Sequence, residues 1–393
     1  MKRIVDILLI SLGFFISLPS ICQELSGYIQ LEVTGFASNP LWTGQGRNNI
    51  SISAQPEFYK VWEKSGSTFT FVPFARFDKT DPERSHFDIR ELNYLWVNKG
   101  WELRMGIGKV FWGTTEFVHL VDIINQTDAV ESIEGTEKLG QPMINLSIPR
   151  QWGVIDIFVL PYFRERTFPG KQGRLRFPVV VDTNNAIYES SQKQHHTDFA
   201  LRYSHSIGNW DLGISHFMGT GRDPSLILKS SENGGSKLTP FYHQINQTGL
   251  DLQFIGGKWL YKLEALYRTG QGKDFIASVA GLEYTFSNRK DLTLFAEWAY
   301  DTRGEKATTL YQNDVVAGFH LRMNDPSGTI FTSGIIHDLD HSSNALKIEG
   351  SRRFGSNLRM SMESWMFFNV NDKDMLYGFR DDDFIRLKLT YYF

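Results

Sequence analysis

The segment WLYKLEALYR, residues 259–268, alternates with a period of two. Trp259, Tyr261, Leu263, Ala265 and Tyr267 share one face, while Lys262, Glu264 and Arg268 share the other with two leucines. A helix would repeat its apolar positions every three or four residues; alternation belongs to a strand with one oily and one wet face. Leu250, Leu252 and Phe254 stand against Asp251 and Gln253 in the same way. So do Leu292, Leu294, Ala296, Trp298 and Tyr300 against Thr293, Phe295 and Glu297. About eighteen such segments, each on the order of ten residues, fill the chain, and that is the length a tilted membrane strand needs. They lie at 26–36, 49–60, 67–78, 87–98, 101–111, 141–148, 153–162, 198–207 and 210–218. The series continues at 246–255, 259–269, 274–286, 291–300, 313–323, 328–338, 345–354, 358–369 and 383–393.

The connections between them alternate short and long. Short ones sit at Asn98, Pro149, Gly208, Gly256, Ser287, Asn324 and Gly355; long polar ones span 37–48, 112–140, 163–197, 219–245, 301–312 and 370–382. The brief turn GQGK at Gly270 is the exception on the long side. This alternation predicts an all-β fold, a transmembrane antiparallel β-barrel of about eighteen strands, with sixteen the nearer alternative. Short turns would face the periplasm and long loops the exterior. No fixed-period repeat is present, which argues against propellers and solenoids.

Both termini fit that reading. The chain ends in RLKLTYYF, with Leu387, Leu389, Tyr391 and Phe393 on one face and Arg386 and Lys388 on the other. In a closed barrel this strand pairs with SGYIQLEVTGF near the start, so neither edge is left exposed. Leu389, Tyr391 and Phe393 also resemble the C-terminal signal read by the outer-membrane assembly machinery. At the other end, Lys2 and Arg3 precede the apolar run Ile7–Leu18, too short to anchor in a bilayer, and Ser20 and Cys22 follow at signal-peptidase spacing. Residues 1–22 are therefore expected to be a signal peptide and 23–393 the barrel. Cys22 raises a lipoprotein alternative, which Pro19-Ser20-Ile21 fits poorly. The expected mature chain has no cysteine, hence no disulfide, and a net charge of −4 that does not suit a nucleic-acid partner.

The most distinctive stretch is MGIGKVFWGTTEFVHLVDIINQTDAV, Met105 to Val130. Gly106 and Gly108 leave room on an inner wall, and Phe117, Leu120, Val121, Ile123 and Ile124 are too apolar for an unpacked loop in water. Residues 112–140 are expected to fold into the lumen against Gly106 and Gly108, with Asp122, Asn125 and Asp128 making turn and cap contacts. An external loop packed on its neighbours is the alternative. Gly108, Lys109, Trp112, Gly113, Asp122, Asn125 and Asp128 also form a pattern. With RELNYLWVNKGWELR before it and QPMINLSI after it, that pattern resembles a large family of Gram-negative outer-membrane porin-like barrels of unknown function. The likeness is specific over 88–148 and only architectural elsewhere. It implies movement or sorting of small molecules, often hydrophobic ones, or of lipids at the outer membrane.

The expected inward faces collect charge at Arg104, Lys262, Glu264, Glu283, Glu297, His320, Arg322, Lys347, Glu349, Arg353, Arg359, Glu363, Arg386 and Lys388. Lys347 and Glu349 are expected to face Arg359 and Glu363, and these Arg386 and Lys388, in a ladder worth about 0.2–1 kcal/mol per pair. With both signs present, the ladder favours neither anions nor cations strongly. Ser204-His205 and Ser215-His216 each split across two strand faces, and no GxSxG, HExxH or P-loop occurs, so no enzyme is expected. His195-His196, Asp338/Asp340 and Asp381–Asp383 fall in expected external loops and read as solvated groups rather than metal ligands. The leading expectation is an outer-membrane porin-like channel for small molecules, without cofactor or metal. Its partners would be outer-membrane lipid and lipopolysaccharide, the assembly machinery and an unspecified solute. Handling of lipids or hydrophobic compounds, or loops that bind a partner, are the alternatives.

Overall fold

The computed structural model describes residues 24–230, 235–287 and 290–393; the expected signal peptide lies outside the described residues. The chain runs through β1 (Glu24–Phe36), β2 (Asn48–Trp62), β3 (Ser67–Asp78), β4 (His86–Asn98), β5 (Trp101–Gly108), β6 (Gln141–Arg150) and β7 (Gly153–Leu160). It continues with β8 (Ile187–Tyr188), β9 (Asp198–Ile207), β10 (Trp210–Thr220), β11 (Ser225–Ser230), β12 (Ser236–Tyr242), β13 (Gln244–Gly256) and β14 (Trp259–Thr269). The last seven are β15 (Phe275–Ser287), β16 (Asp291–Asp301), β17 (Asn313–Arg322), β18 (Ile330–Asp338), β19 (Asn344–Phe354), β20 (Leu358–Phe368) and β21 (Phe384–Tyr392).

All but β8, β11 and β12 join one sheet of eighteen strands, and every neighbouring pair in it is antiparallel. The sheet closes on itself. Tyr28 pairs with Tyr392, Leu31 with Leu389 and Thr34 with Arg386, and Gly27 and Phe393 exchange backbone hydrogen bonds at 3.1 Å. Closure satisfies the edge groups that hydrocarbon would leave unpaired. The eighteen segments expected from alternation are the eighteen wall strands, so the sixteen-strand alternative falls.

Alternation decides which face each residue takes. Trp259, Tyr261 and Tyr267 are exposed on the outer surface, whereas Lys262, Glu264 and Arg268 on the opposite face are buried inside. Trp62, Trp96, Trp101, Trp152, Trp210 and Trp259 are exposed near the short-turn rim, and Phe77, Phe87, Phe199, Tyr267, Trp298 and Tyr300 near the other. An apolar band between two aromatic girdles is the surface a bilayer covers. The short turns span two to seven residues.

The opposite rim carries more structure than the sequence suggested. β11 pairs antiparallel with β12, and β12 parallel with β8, in a small separate sheet built from the connections after β7 and β10. The lumen is also not wet throughout. Phe36, Phe295, Val316, Ile336, Trp365, Phe367 and Phe384 on the inner wall pack against Phe117, Ile133, Leu175, Leu310, Leu376 and Phe379 from the connections. Inside this half of the barrel sits a hydrophobic core.

Candidate functional site

β5 ends at Gly108, three residues before the alternation suggested, because the chain turns into the barrel there. Asn125 fixes the turn. Its Oδ1 accepts a hydrogen bond from Val110 N at 2.8 Å, and its Nδ2 donates to the carbonyls of Gly108 at 2.9 Å and Leu139 at 2.8 Å. One amide thus ties the entry of the segment to its exit. Asp122 does likewise: Oδ1 accepts from Trp112 N at 3.3 Å, and Oδ2 lies 3.2 Å from Lys138 Nζ. Burial pushes the Asp122 carboxyl up from its ordinary range, and Lys138 pulls it back only in part.

From this neck the segment crosses to a far wall. The buried carboxylate of Glu264 on β14 accepts from Thr114 N at 2.7 Å, Thr115 N at 3.0 Å and Thr115 Oγ1 at 2.6 Å on Oε1. Its Oε2 accepts from Leu120 N at 2.8 Å and Val121 N at 3.2 Å. Glu297 on β16 accepts from Glu116 N at 2.5 Å and Phe117 N at 3.1 Å. A loop this short of secondary structure has orphan N–H groups, and charged acceptors on the wall satisfy them. Lys262 in turn holds Glu116 at 2.7 Å and pairs with Glu283, while His320 Nε2 lies 3.4 Å from Glu116. The close imidazole of His320 and the hydrogen-bonded charge of Lys262 outweigh burial and hold the Glu116 carboxyl well below its ordinary range. Burial keeps His119 below the usual imidazole value.

The segment then returns across the lumen. Asp128 lies 2.7 Å from Arg90 on β4, Glu131 lies 2.7 Å from Arg76 on β3, and Val130 O accepts from Arg84 Nε at 2.9 Å. Glu134 reaches Lys347 on β19 at 2.7 Å. β16 is the ninth strand round from β4 in a wall of eighteen, so the segment is pinned to opposite sides. Its apolar residues are covered: Val121, Ile123 and Ile124, with Trp112, pack against Met143, Phe158, Leu160, Ala200, Phe217 and Ile245. Each such side chain, fully buried, contributes about 1.5–3 kcal/mol.

Several expected residues act differently from the sequence reading. Gly106 does not make room for the segment. At φ 130° it faces the neighbouring strand, and a Cβ there would collide with the Leu92 carbonyl. Gly108 meets the segment through its carbonyl rather than through an absent side chain. The close approaches are at Gly249, where a Cβ would stand 3.2 Å from Val121 Cγ1, and at Gly334, 2.7 Å from Phe117 Cζ. Gly113, at φ 130°, lies under Glu264, whose Oε1 would be 2.6 Å from a Cβ. Lys109 is exposed, and Trp112 is buried edge-on against Phe158 with Arg202 over its ring.

The expected charge ladder is also rearranged. The register sets Lys347 opposite Trp365, Glu349 opposite Glu363, and Arg353 opposite Arg359, so like charges face each other. Lys347 is instead balanced by Glu349 at 3.0 Å on its own strand and by Glu134. Glu363 does meet Arg386 and Lys388, both at 3.3 Å, and Arg386 reaches Glu32 at 3.5 Å. Among the described residues Arg104, Arg322, Arg353 and Arg359 form no ion pair. The sequence reading missed Arg76, Arg84, Arg90 and Glu32. Arg76 and Arg90 alternate with Phe77 and Phe87 on their strands and were legible as inward; Arg84, in the turn Pro82–Arg84, was not.

Two spaces of about 220 Å³ remain. One lies between the segment and the wall, lined by Lys138, Arg166, Arg222, Arg268 and Arg303 among Asp122, Asp223 and Asp301. The other lies toward the short turns, beside Thr332, Glu349, Glu363 and Lys388. As to chemistry, Ser215 is buried inside while His216 is exposed outside and contacts Thr248. Ser225 Oγ and His243 Nε2 are 2.9 Å apart, a pair the sequence reading did not single out. Glu189 stands 4.0 Å from His243 Nδ1, beyond a hydrogen bond, so among the described residues no acid orients the histidine.

No protein-family model matches the chain, and no curated sequence is similar to it, so the likeness at 108–128 gains no support from sequence. Among solved structures, a fivefold mutant of Rh. blastica porin is similar at 12% identity, over 94% of this chain and 99% of that one, with a TM-score of 0.48. A triple mutant of Rhodopseudomonas blastica porin has 12% identity over the same shares, with a TM-score of 0.45. Likeness of this size carries no argument about activity; the barrel stands on its own strand ladder.

Proposed function

We propose that this chain is an outer-membrane, porin-like channel for small molecules in which residues 112–140 form a constriction. The supporting observation is the crossing of the lumen by a segment pinned at Glu264 and Glu297 on one wall and at Arg76 and Arg90 on the other. Charged groups of both signs line what space remains, which suits hydrated solutes without strong charge selection. In this reading residues 1–22 are removed on export from a Gram-negative cytoplasm. Leu389, Tyr391 and Phe393 then direct assembly into the outer membrane, where lipid and lipopolysaccharide surround the barrel.

One observation favours handling of hydrophobic compounds as a second reading. A space of about 120 Å³ among the long connections is lined by Phe168, Leu175, Phe177, Val179, Leu310 and Phe379. Every wall strand is hydrogen-bonded to both neighbours, which leaves a lipid no gap between strands as a lateral exit. Planar-bilayer recording separates the two. The channel reading expects steady conductance, raised by deletion of residues 116–136 and made noisier by Glu264→Gln. No conductance, or conductance unchanged by the deletion, sinks it.

A further inference from the structure

Two connections meet the end of β18 at the long-loop rim. β18 ends in Asp338, the turn after it carries His341, and the connection between β20 and β21 carries Asp374. One donor atom from each of these three residues lies within 4.8 Å of the other two. Both aspartates are buried, and a third buried aspartate, Asp314, stands directly opposite Asp338 in the ladder. Among the described residues no lysine or arginine forms an ion pair with any of the three; their one partner of that kind is His341, whose Nδ1 is 3.5 Å from Asp338 Oδ2. Buried carboxylates are ordinarily paired or bound to a cation.

Local geometry leaves donor atoms free. Asp338 Oδ1 is taken by the backbone N–H of Asp340 at 2.7 Å and of His341 at 2.6 Å, which orients Oδ2. Gln312 Nε2 donates to that Oδ2 at 2.6 Å and lies 3.5 Å from His341 Nδ1, so the aspartate oxygen and the imidazole nitrogen sit side by side at one point. Asp374 is only 7% exposed; its Oδ1 accepts from Leu376 N at 2.8 Å, and its Oδ2 has no hydrogen-bond partner. An orphan carboxylate oxygen in such a place needs a partner.

We propose that Asp338, His341 and Asp374 bind a divalent transition-metal cation, with Asp314 and Gln312 around it. Two carboxylate oxygens and an imidazole nitrogen suit Zn²⁺ or Mn²⁺ better than Mg²⁺, which takes oxygen donors and keeps its water. The ion would clasp the connection 369–383 to the rim. That connection carries Leu376 and Phe379 into the apolar cluster inside the barrel, so the metal would hold the cover of the mouth in place.

The test uses the full barrel in detergent, stripped with a chelator and titrated with Zn²⁺ alone or Mn²⁺ alone, read by bound metal and by Tm. One ion per chain and a higher Tm are expected. Asp374→Asn and His341→Ala should each weaken binding at least about tenfold, as loss of even an outer partner of a metal does. His195→Ala, in a different connection, should bind as the native chain does. Asp374→Asn removes a buried charge at constant shape, so failure to fold is not a concern for it. Native chain that binds neither ion overturns the proposal, and so does binding that both variants retain. Stabilisation by Asp374→Asn without metal in the native chain would instead point to a shared proton, and would overturn it as well.

Discussion

Asp128 shows how one buried acid is made to serve as an anchor. Burial alone would raise its carboxyl, but His86 close by at 3.3 Å, the charge of Arg90 and the hydrogen bond from Thr167 outweigh that and bring it down to about 2. A carboxyl depressed in the folded state contributes stability that is present above its unfolded value, about 3.9, and is lost as pH falls through the folded value. The contribution is on the order of 2 kcal/mol. The segment should therefore loosen between about pH 4 and pH 2, read as protease sensitivity within 112–140 while the wall stays intact. Asp128→Asn should show the same sensitivity already at pH 7. A segment equally resistant at pH 2 and pH 7 would contradict this account of the anchor. Glu264 works by a different route: it is an acceptor for loop N–H groups rather than half of an ion pair.

At the scale of elements, the segment is held by charged and apolar wall residues and by two glycines that let it approach. Where the wall meets Phe117 and Val121 it presents Gly334 on β18 and Gly249 on β13. Gly334→Val would put methyl groups where the Phe117 ring lies. Overpacking of this kind costs about 1–3 kcal/mol, and here the segment should yield before the ladder does. The expected result is faster proteolysis inside 112–140 with an unchanged barrel Tm. A fall in barrel Tm with a resistant segment would mean that the ring contact belongs to the wall's own stability. The register matters equally. It sets Glu349 against Glu363 and Arg353 against Arg359; Glu363 is answered from the next strand by Arg386, whereas the two arginines face each other. Part of the wall's charge is answered from inside the lumen, Lys347 by Glu134.

For the whole molecule, closure is the decisive event. β21 is the last strand in the chain and closes on the first, with Leu31 against Leu389 and Gly27 against Phe393. Removing residues 389–393 would leave β1 with unpaired backbone groups facing hydrocarbon, each costing several kcal/mol. The truncated chain should fail to give the compact, heat-modifiable band of a folded barrel on gels; a normal band would show that the seam is dispensable. Strand number, the faces of the strands and the pairing of the two ends were all legible in the sequence, because a period of two is local and the bilayer enforces it along the whole wall. The inward course of 112–140 was legible only as an excess of apolar residues in a loop. Its partners were not: Glu264, Gly249, Gly334 and Arg90 lie far along the chain, and pattern within a strand tells which way a side chain points but not what crosses the lumen to meet it. Sequence alone determined the cylinder. The tertiary structure alone decided how that cylinder is filled, because filling depends on the curvature that brings strands nine apart to face each other across one interior.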